Sequence, residues 1–163
     1  MKTTEIKSMA HEEVVKNLKE YFVIEELVDR TVFNKYGERA WRFFDRRLLD
    51  NLLWIRTNIN KSMTINNWLW GGSFDERGLR TNISDLVKRK TRLYLSAHLR
   101  GGAVDFDVKG MTAQEVRDWL VANADGLPHK IRVEETLNGK KISWVHIDVD
   151  DESKNPKVYL MAA

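Results

Sequence analysis

A histidine and an aspartate, both residue types that bind divalent metals, stand seven positions apart at His98 and Asp105 around the glycine pair Gly101-Gly102. A second histidine, His146, lies near the end of the chain in Ser143-Trp144-Val145-His146-Ile147-Asp148, an alternating apolar and polar run of the kind a strand makes. Two imidazoles and one carboxylate form a three-ligand set. Such a set leaves the fourth position of a tetrahedral zinc open to water, as a catalytic rather than a structural site requires. The chain contains no cysteine, so disulfides and thiolate metal sites are excluded and any zinc must be held by His and carboxylate.

The elements that would position these groups can be read around them. A turn at Gly101-Gly102 lets His98 and Asp105 converge, and Val104-Asp105-Phe106-Asp107-Val108 alternates as a half-buried strand does. Asp105 and Asp107 then share one face, with Val104, Phe106 and Val108 toward the core. Upstream, Leu48, Leu49, Leu52, Leu53, Trp54 and Ile55 recur at helical spacing and predict a helix over 45–59. The stretch 63–68 reads as a strand entering a loop with Gly71, Gly72 and Gly78, which would form one wall of a cleft. Leu93-Tyr94-Leu95 is a short apolar run leading into the histidine. Downstream, Thr112 and Glu115 have the spacing of a capping box ahead of the stripe Val116, Trp119, Leu120. Two strands flank the turn residues Asn138-Gly139 as the arms of a hairpin. Residues 1–20, with Val14, Val15 and Leu18, read as a short amphipathic helix or an arm preceding a single domain over 21–163.

Ser96, His98, Gly101, Ala103 and Asp105 together spell S-x-H-x-x-G-x-A-x-D, followed downstream by Trp144-x-His146. On these residues the chain resembles the zinc peptidases of the D-alanyl-D-alanine carboxypeptidase and hedgehog type, many of them bacteriophage or bacterial cell-wall enzymes. The likeness runs over about 21–160, and its specificity lies in the two motifs. It implies that His98, Asp105 and His146 ligate zinc and that a carboxylate near the last histidine is the general base. It also implies an arginine ahead of the metal motif that grips a substrate carboxylate in a bidentate fork. Arg80 is the first candidate for that arginine and Arg77 the second. Ser96 reads as a hydrogen-bonding residue beside the metal and substrate rather than as a nucleophile. Trp68, Trp70 and Phe74 are candidates to line the cleft or to pack in the core; His11 and His129 read as structural.

The base departs from the commonest family pattern, because the position three before His146 is Ser143. The nearest upstream carboxylates are Glu134 and Glu135. A two-residue turn at Asn138-Gly139 pairs Glu135 with Ile142 and puts Glu135 on the face of His146. A three-residue turn over Asn138-Gly139-Lys140 pairs Glu134 with Trp144, diagonally beside His146. Family members carry Arg-x-Glu at this point and Arg132-Val133-Glu134 matches it, which favours Glu134 and leaves Glu135 as the alternative.

With 163 residues, 42% of them hydrophobic, the chain is long enough for one domain with a real core. A net charge of +3 is mildly basic and suits an anionic polymer such as a cell wall. The polar N-terminus has no apolar stretch of the signal-peptide kind. The expectation is an α+β fold, a small antiparallel sheet with flanking helices in the manner of the resembled family. Its function would be a zinc-dependent peptidoglycan peptidase, carboxypeptidase or endopeptidase. It would be a monomer made in the cytoplasm, for instance that of a phage-infected host, acting on cell-wall stem peptides or cross-links after release, with neither nucleic-acid binding nor membrane insertion. The alternatives are an inactive zinc-binding recognition module and a phage particle-associated peptidase.

Overall fold

In the computed structural model, which describes residues 1–150 and 156–162, the chain opens with two short helices, α1 (Thr3–Ser8) and α2 (His11–Leu18). Ile6, Val14 and Leu18 are fully buried, so these two helices pack on the core rather than forming a free arm. Helix α3 (Arg30–Tyr36) starts at Asp29, whose carboxylate accepts from the Val32 amide at 2.8 Å. The predicted helix at 45–59 is α4 (Arg46–Ile59), capped by Asp45, which accepts from the Arg47 amide at 2.9 Å. Its Leu48, Leu49, Leu52 and Leu53 have no exposed surface. Burial of each such leucine stabilises the fold by roughly 1.5–3 kcal/mol, which makes α4 the central prop of the domain.

Strand β1 covers only Met63–Thr64, shorter than the strand expected over 63–68. The cause lies in two asparagines. Asn66 is fully buried, its amide donating to the Glu26 carbonyl and its side chain to the Val28 carbonyl, while the Asn67 side chain accepts from the Phe74 amide. These bonds pull the chain off the sheet and into a loop. After helix α5 (Asp85–Lys88) and a 3-10 turn at Ala97–Arg100 come strand β2 (Ala103–Val108) and helix α6 (Ala113–Ala122). Thr112 and Glu115 form the expected capping box on α6.

Strands β3 (Ile131–Leu137) and β4 (Lys140–Asp148) form the hairpin, and β5 (Val158–Ala162) completes a five-stranded sheet in the order β1-β2-β4-β3-β5. The α+β class stands as expected, but the sheet is mixed. β5 runs parallel to β3, because the chain leaving β4 crosses to the far side of the hairpin. One face of the sheet carries Val104, Phe106, Val133, Val145 and Ile147 into a single apolar core that α4 and α6 share, with Trp54 and Trp119 in contact at 5.7 Å between ring centres. The other face holds the polar residues.

Candidate metal centre

His98 sits on the 3-10 turn Ala97–Arg100, and its position is fixed through the loop ahead of it. Its Nδ1 donates to the Gly78 carbonyl at 2.7 Å. Gly78 passes so close to the backbone of Leu27 that a Cβ there would come within 1.9 Å of the Leu27 carbonyl oxygen. Only glycine lets this carbonyl be presented to the imidazole. Gly101, with φ +66°, ends the turn in the left-handed region and sends the chain into β2, so the glycine pair joins the segments that carry His98 and Asp105.

Sheet register brings the remaining groups together. Asp105 on β2 pairs with His146 on β4, His146 pairs with Glu134 on β3, and Glu134 pairs with Met161 on β5. These four side chains therefore form one row across the sheet. The next row carries Asp148 opposite Arg132, whose Nε and Nη2 grip the two carboxylate oxygens at 2.8 and 3.1 Å. The rows line a cavity of about 650 Å³ together with Arg80, Lys90, Tyr94, Ser96 and Trp144.

His98 Nε2, His146 Nδ1 and Asp105 Oδ1 converge, with separations of 3.3 Å between the two nitrogens and 3.5 and 2.6 Å from His98 and His146 to the carboxylate. All three residues are buried. Donors on a tetrahedral zinc, at about 2.0–2.1 Å from the ion, stand about 3.3 Å from one another. The far nitrogen of each imidazole is already occupied, His98 Nδ1 by Gly78 and His146 Nε2 by the Asp148 carboxylate at 3.2 Å. Both rings are thus turned so that the converging nitrogen is the one left for a cation, the outer arrangement that metal-bound histidines adopt. Nitrogen, nitrogen and carboxylate oxygen make a donor set that fits zinc.

Electrostatics within the cluster are strongly polarised. Burial disfavours charge on both histidines, and in His98 it prevails, holding the pKa below the ordinary value despite Asp105. In His146 burial is outweighed by the hydrogen bonds to Asp105 and Asp148, and its pKa is raised to about 9. Burial would raise both carboxylates, but Asp105 is held well below the usual range by His146 and His98, and Asp148 is lowered by His146 and Arg132. In the metal-free protein at neutral pH, the proton between His146 and Asp105 therefore occupies the converging nitrogen.

Arg80 lies in the cavity wall but is turned to the metal cluster. Its Nη2 is 3.0 Å from Asp105 Oδ2, and its Nε donates to the Glu76 carbonyl at 2.7 Å. Nη1 has no hydrogen-bond partner among the described residues. Arg77 is committed elsewhere, to Asp107 at 2.5 Å and over the Phe74 ring, and does not line the cavity. The same holds for the aromatic candidates: Trp68 packs at a tilt against Phe33 and donates to the Val28 carbonyl, and Trp70 is 64% exposed. Of the glycine loop, it is the end at Gly78 that meets the site. His129 pairs with Asp50 of α4 at 2.8 Å and serves the scaffold. Ser96 lies in the cavity wall with its hydroxyl buried and unpartnered among the described residues.

The hairpin starts in the register of the expected two-residue turn and then leaves it. The turn has two residues, Asn138 and Gly139, with Leu137 opposite Lys140 and Thr136 opposite Lys141. Between Thr136 and Glu134 the register then shifts, so that Glu134 lies opposite His146 rather than Trp144, and Glu135 does not pair with Ile142. Arg117, a fully buried arginine of α6, holds this bulge from behind. It donates to the carbonyls of Glu134, Ile142 and Trp144 at 2.9–3.0 Å. Glu134 consequently lines the cavity and Glu135 does not.

Asp148, Arg132 and the Gly78 carbonyl were not among the expected site residues. Asp148 was within reach, since His146-x-Asp148 on a strand places both side chains on one face. The Gly78 contact had no local signal. Comparison with protein-family models, with curated proteins and with solved structures gives no match.

Proposed function

We propose that the protein is a zinc-dependent peptidase acting on peptidoglycan stem peptides or cross-links. The observation that carries this reading is the convergence of His98 Nε2, His146 Nδ1 and Asp105 Oδ1 in a cavity that also presents Glu134, one strand away in the same row. His98, Asp105 and His146 would hold zinc, whose chemistry when bound is to polarise the scissile carbonyl and to acidify water. Glu134 accepts the proton of the attacking water on its carboxylate and delivers it to the leaving amine. Arg80 steadies Asp105 through Oδ2 and keeps Nη1 toward the substrate, and the Ser96 hydroxyl offers a donor for a substrate oxygen. Incubation of the zinc-loaded protein with purified muropeptides, followed by mass spectrometry, should show loss of a terminal alanine or scission of a cross-link. Intact muropeptides with stoichiometric zinc bound would instead support a zinc-holding recognition module.

Zinc uptake should carry a pH signature of its own. Because the His146 pKa is raised to about 9, binding between pH 7 and 9 must expel one proton, so the apparent zinc association constant should rise about tenfold per pH unit over that window. Asp105 is already ionised and His98 already neutral there, so neither adds to the slope. In the metal-free protein the sign for stability is opposite. The stabilisation from a raised histidine is complete below its unfolded value and is lost as pH climbs through about 9. Competition against a chromophoric chelator across the window reads the affinity, and a flat profile would refute the shared-proton arrangement.

A further inference from the structure

The segment 83–95, which contains α5 and leads to the 3-10 turn that bears His98, exposes four large apolar side chains. Leu93 is 87% exposed, Leu95 79%, Ile83 54% and Leu86 46%. Interleaved with them are Lys88, Arg89, Lys90 and Arg92, against the single carboxylate of Asp85. The segment's charge of +3 equals the net charge of the whole chain, so the other residues are electrically balanced. Lys88 pairs with Asp85, and Lys90 lies over the Tyr94 ring at 4.9 Å. Arg89, Lys90 and Arg92 form no ion pair among the described residues. None of the amides from Thr91 to Ser96 donates a backbone hydrogen bond among the described residues, and the strip lies open on the surface.

We infer that this strip docks the protein on the surface of an anionic lipid bilayer. Leucines beside unpaired cations match the two phases of such a surface, acyl chains below and phosphate headgroups above. A second copy of the chain would bring like charges together, and a nucleic acid offers no apolar phase to the leucines. No helix among the described residues is long and apolar enough to cross a membrane, so docking is peripheral. Leu86, Lys90, Tyr94 and Leu95 also form one wall of the metal cavity, and docking therefore sets the cavity mouth at the lipid surface.

Co-sedimentation of the full chain with phosphatidylcholine vesicles, with and without phosphatidylglycerol, tests this. Binding should require phosphatidylglycerol and weaken with added salt. The double variant Leu93→Ser/Leu95→Ser should lower the partition coefficient about a hundredfold or more, and Arg89→Gln/Arg92→Gln about fivefold per cation removed. These side chains are exposed, so unchanged far-UV circular dichroism is expected, and Leu93→Ser alone supplies a milder variant. Binding should persist with a zinc chelator present and in Glu134→Gln, so its outcome is independent of the peptidase reading. Absence of binding to phosphatidylglycerol vesicles would overturn the inference. So would wild-type partition of the leucine variant, or displacement by duplex DNA that is indifferent to the leucines, which would mark a polyanion site.

Discussion

Glu134→Gln is expected to bind zinc at wild-type stoichiometry and to cleave peptidoglycan peptides about a hundredfold to ten-thousandfold more slowly, the range typical of a lost general base. Glu134 is not one of the three converging donors, so the amide leaves the metal cluster intact. Its carboxylate stands beside His146 in the same row of the sheet, facing the cavity, where a proton from water can be taken up. Glu135→Gln should be close to wild type, since Glu135 falls in the bulge and off the cavity wall. Kinetics on one defined muropeptide, with zinc content measured on the same samples, separates the cases. A dead Glu135 variant beside an active Glu134 variant would refute the assignment of the base.

The parts of the site legible in the sequence are those whose geometry is local. His98 and Asp105 lie seven residues apart across one tight turn, and His146 lies on a strand whose alternation is plain, so their convergence needed only the correct pairing of β2 with β4. Helix α4 announced itself through apolar spacing, α6 through its capping box and apolar stripe, and Asn138-Gly139 announced the hairpin turn. What was hidden depends on distant residues. The bulge that places Glu134 opposite His146 is held by Arg117, which stands on another element, and turn chemistry cannot report it. The truncation of β1 comes from Asn66 reaching the carbonyl of Val28. β5 carried no clear alternation, since Val158-Tyr159-Leu160-Met161-Ala162 is an unbroken apolar and aromatic run, and its parallel pairing with β3 depends on a crossover rather than on any local pattern.

Removing a metal ligand should abolish stoichiometric zinc binding without dismantling the fold. His98→Ala and His146→Ala each delete one of the three donors, and with no cysteine in the chain no thiolate is available to replace it. Asp148→Asn should act more mildly. It keeps the donor set but removes the carboxylate that fixes the His146 ring, and loss of such an outer partner typically weakens metal affinity about tenfold to a hundredfold. The fold should tolerate all three changes, because the apolar core runs from Ile6 through α4 to Val158 on the opposite face of the sheet and does not depend on the cluster. In this respect the protein should differ from small zinc domains, in which metal binding and folding are one event. A chelator at ambient temperature should therefore abolish activity while far-UV circular dichroism stays unchanged. Collapse of the circular dichroism on chelation would show that the fold depends on the ion, and stoichiometric zinc in both folded histidine variants would show that the ion is held elsewhere.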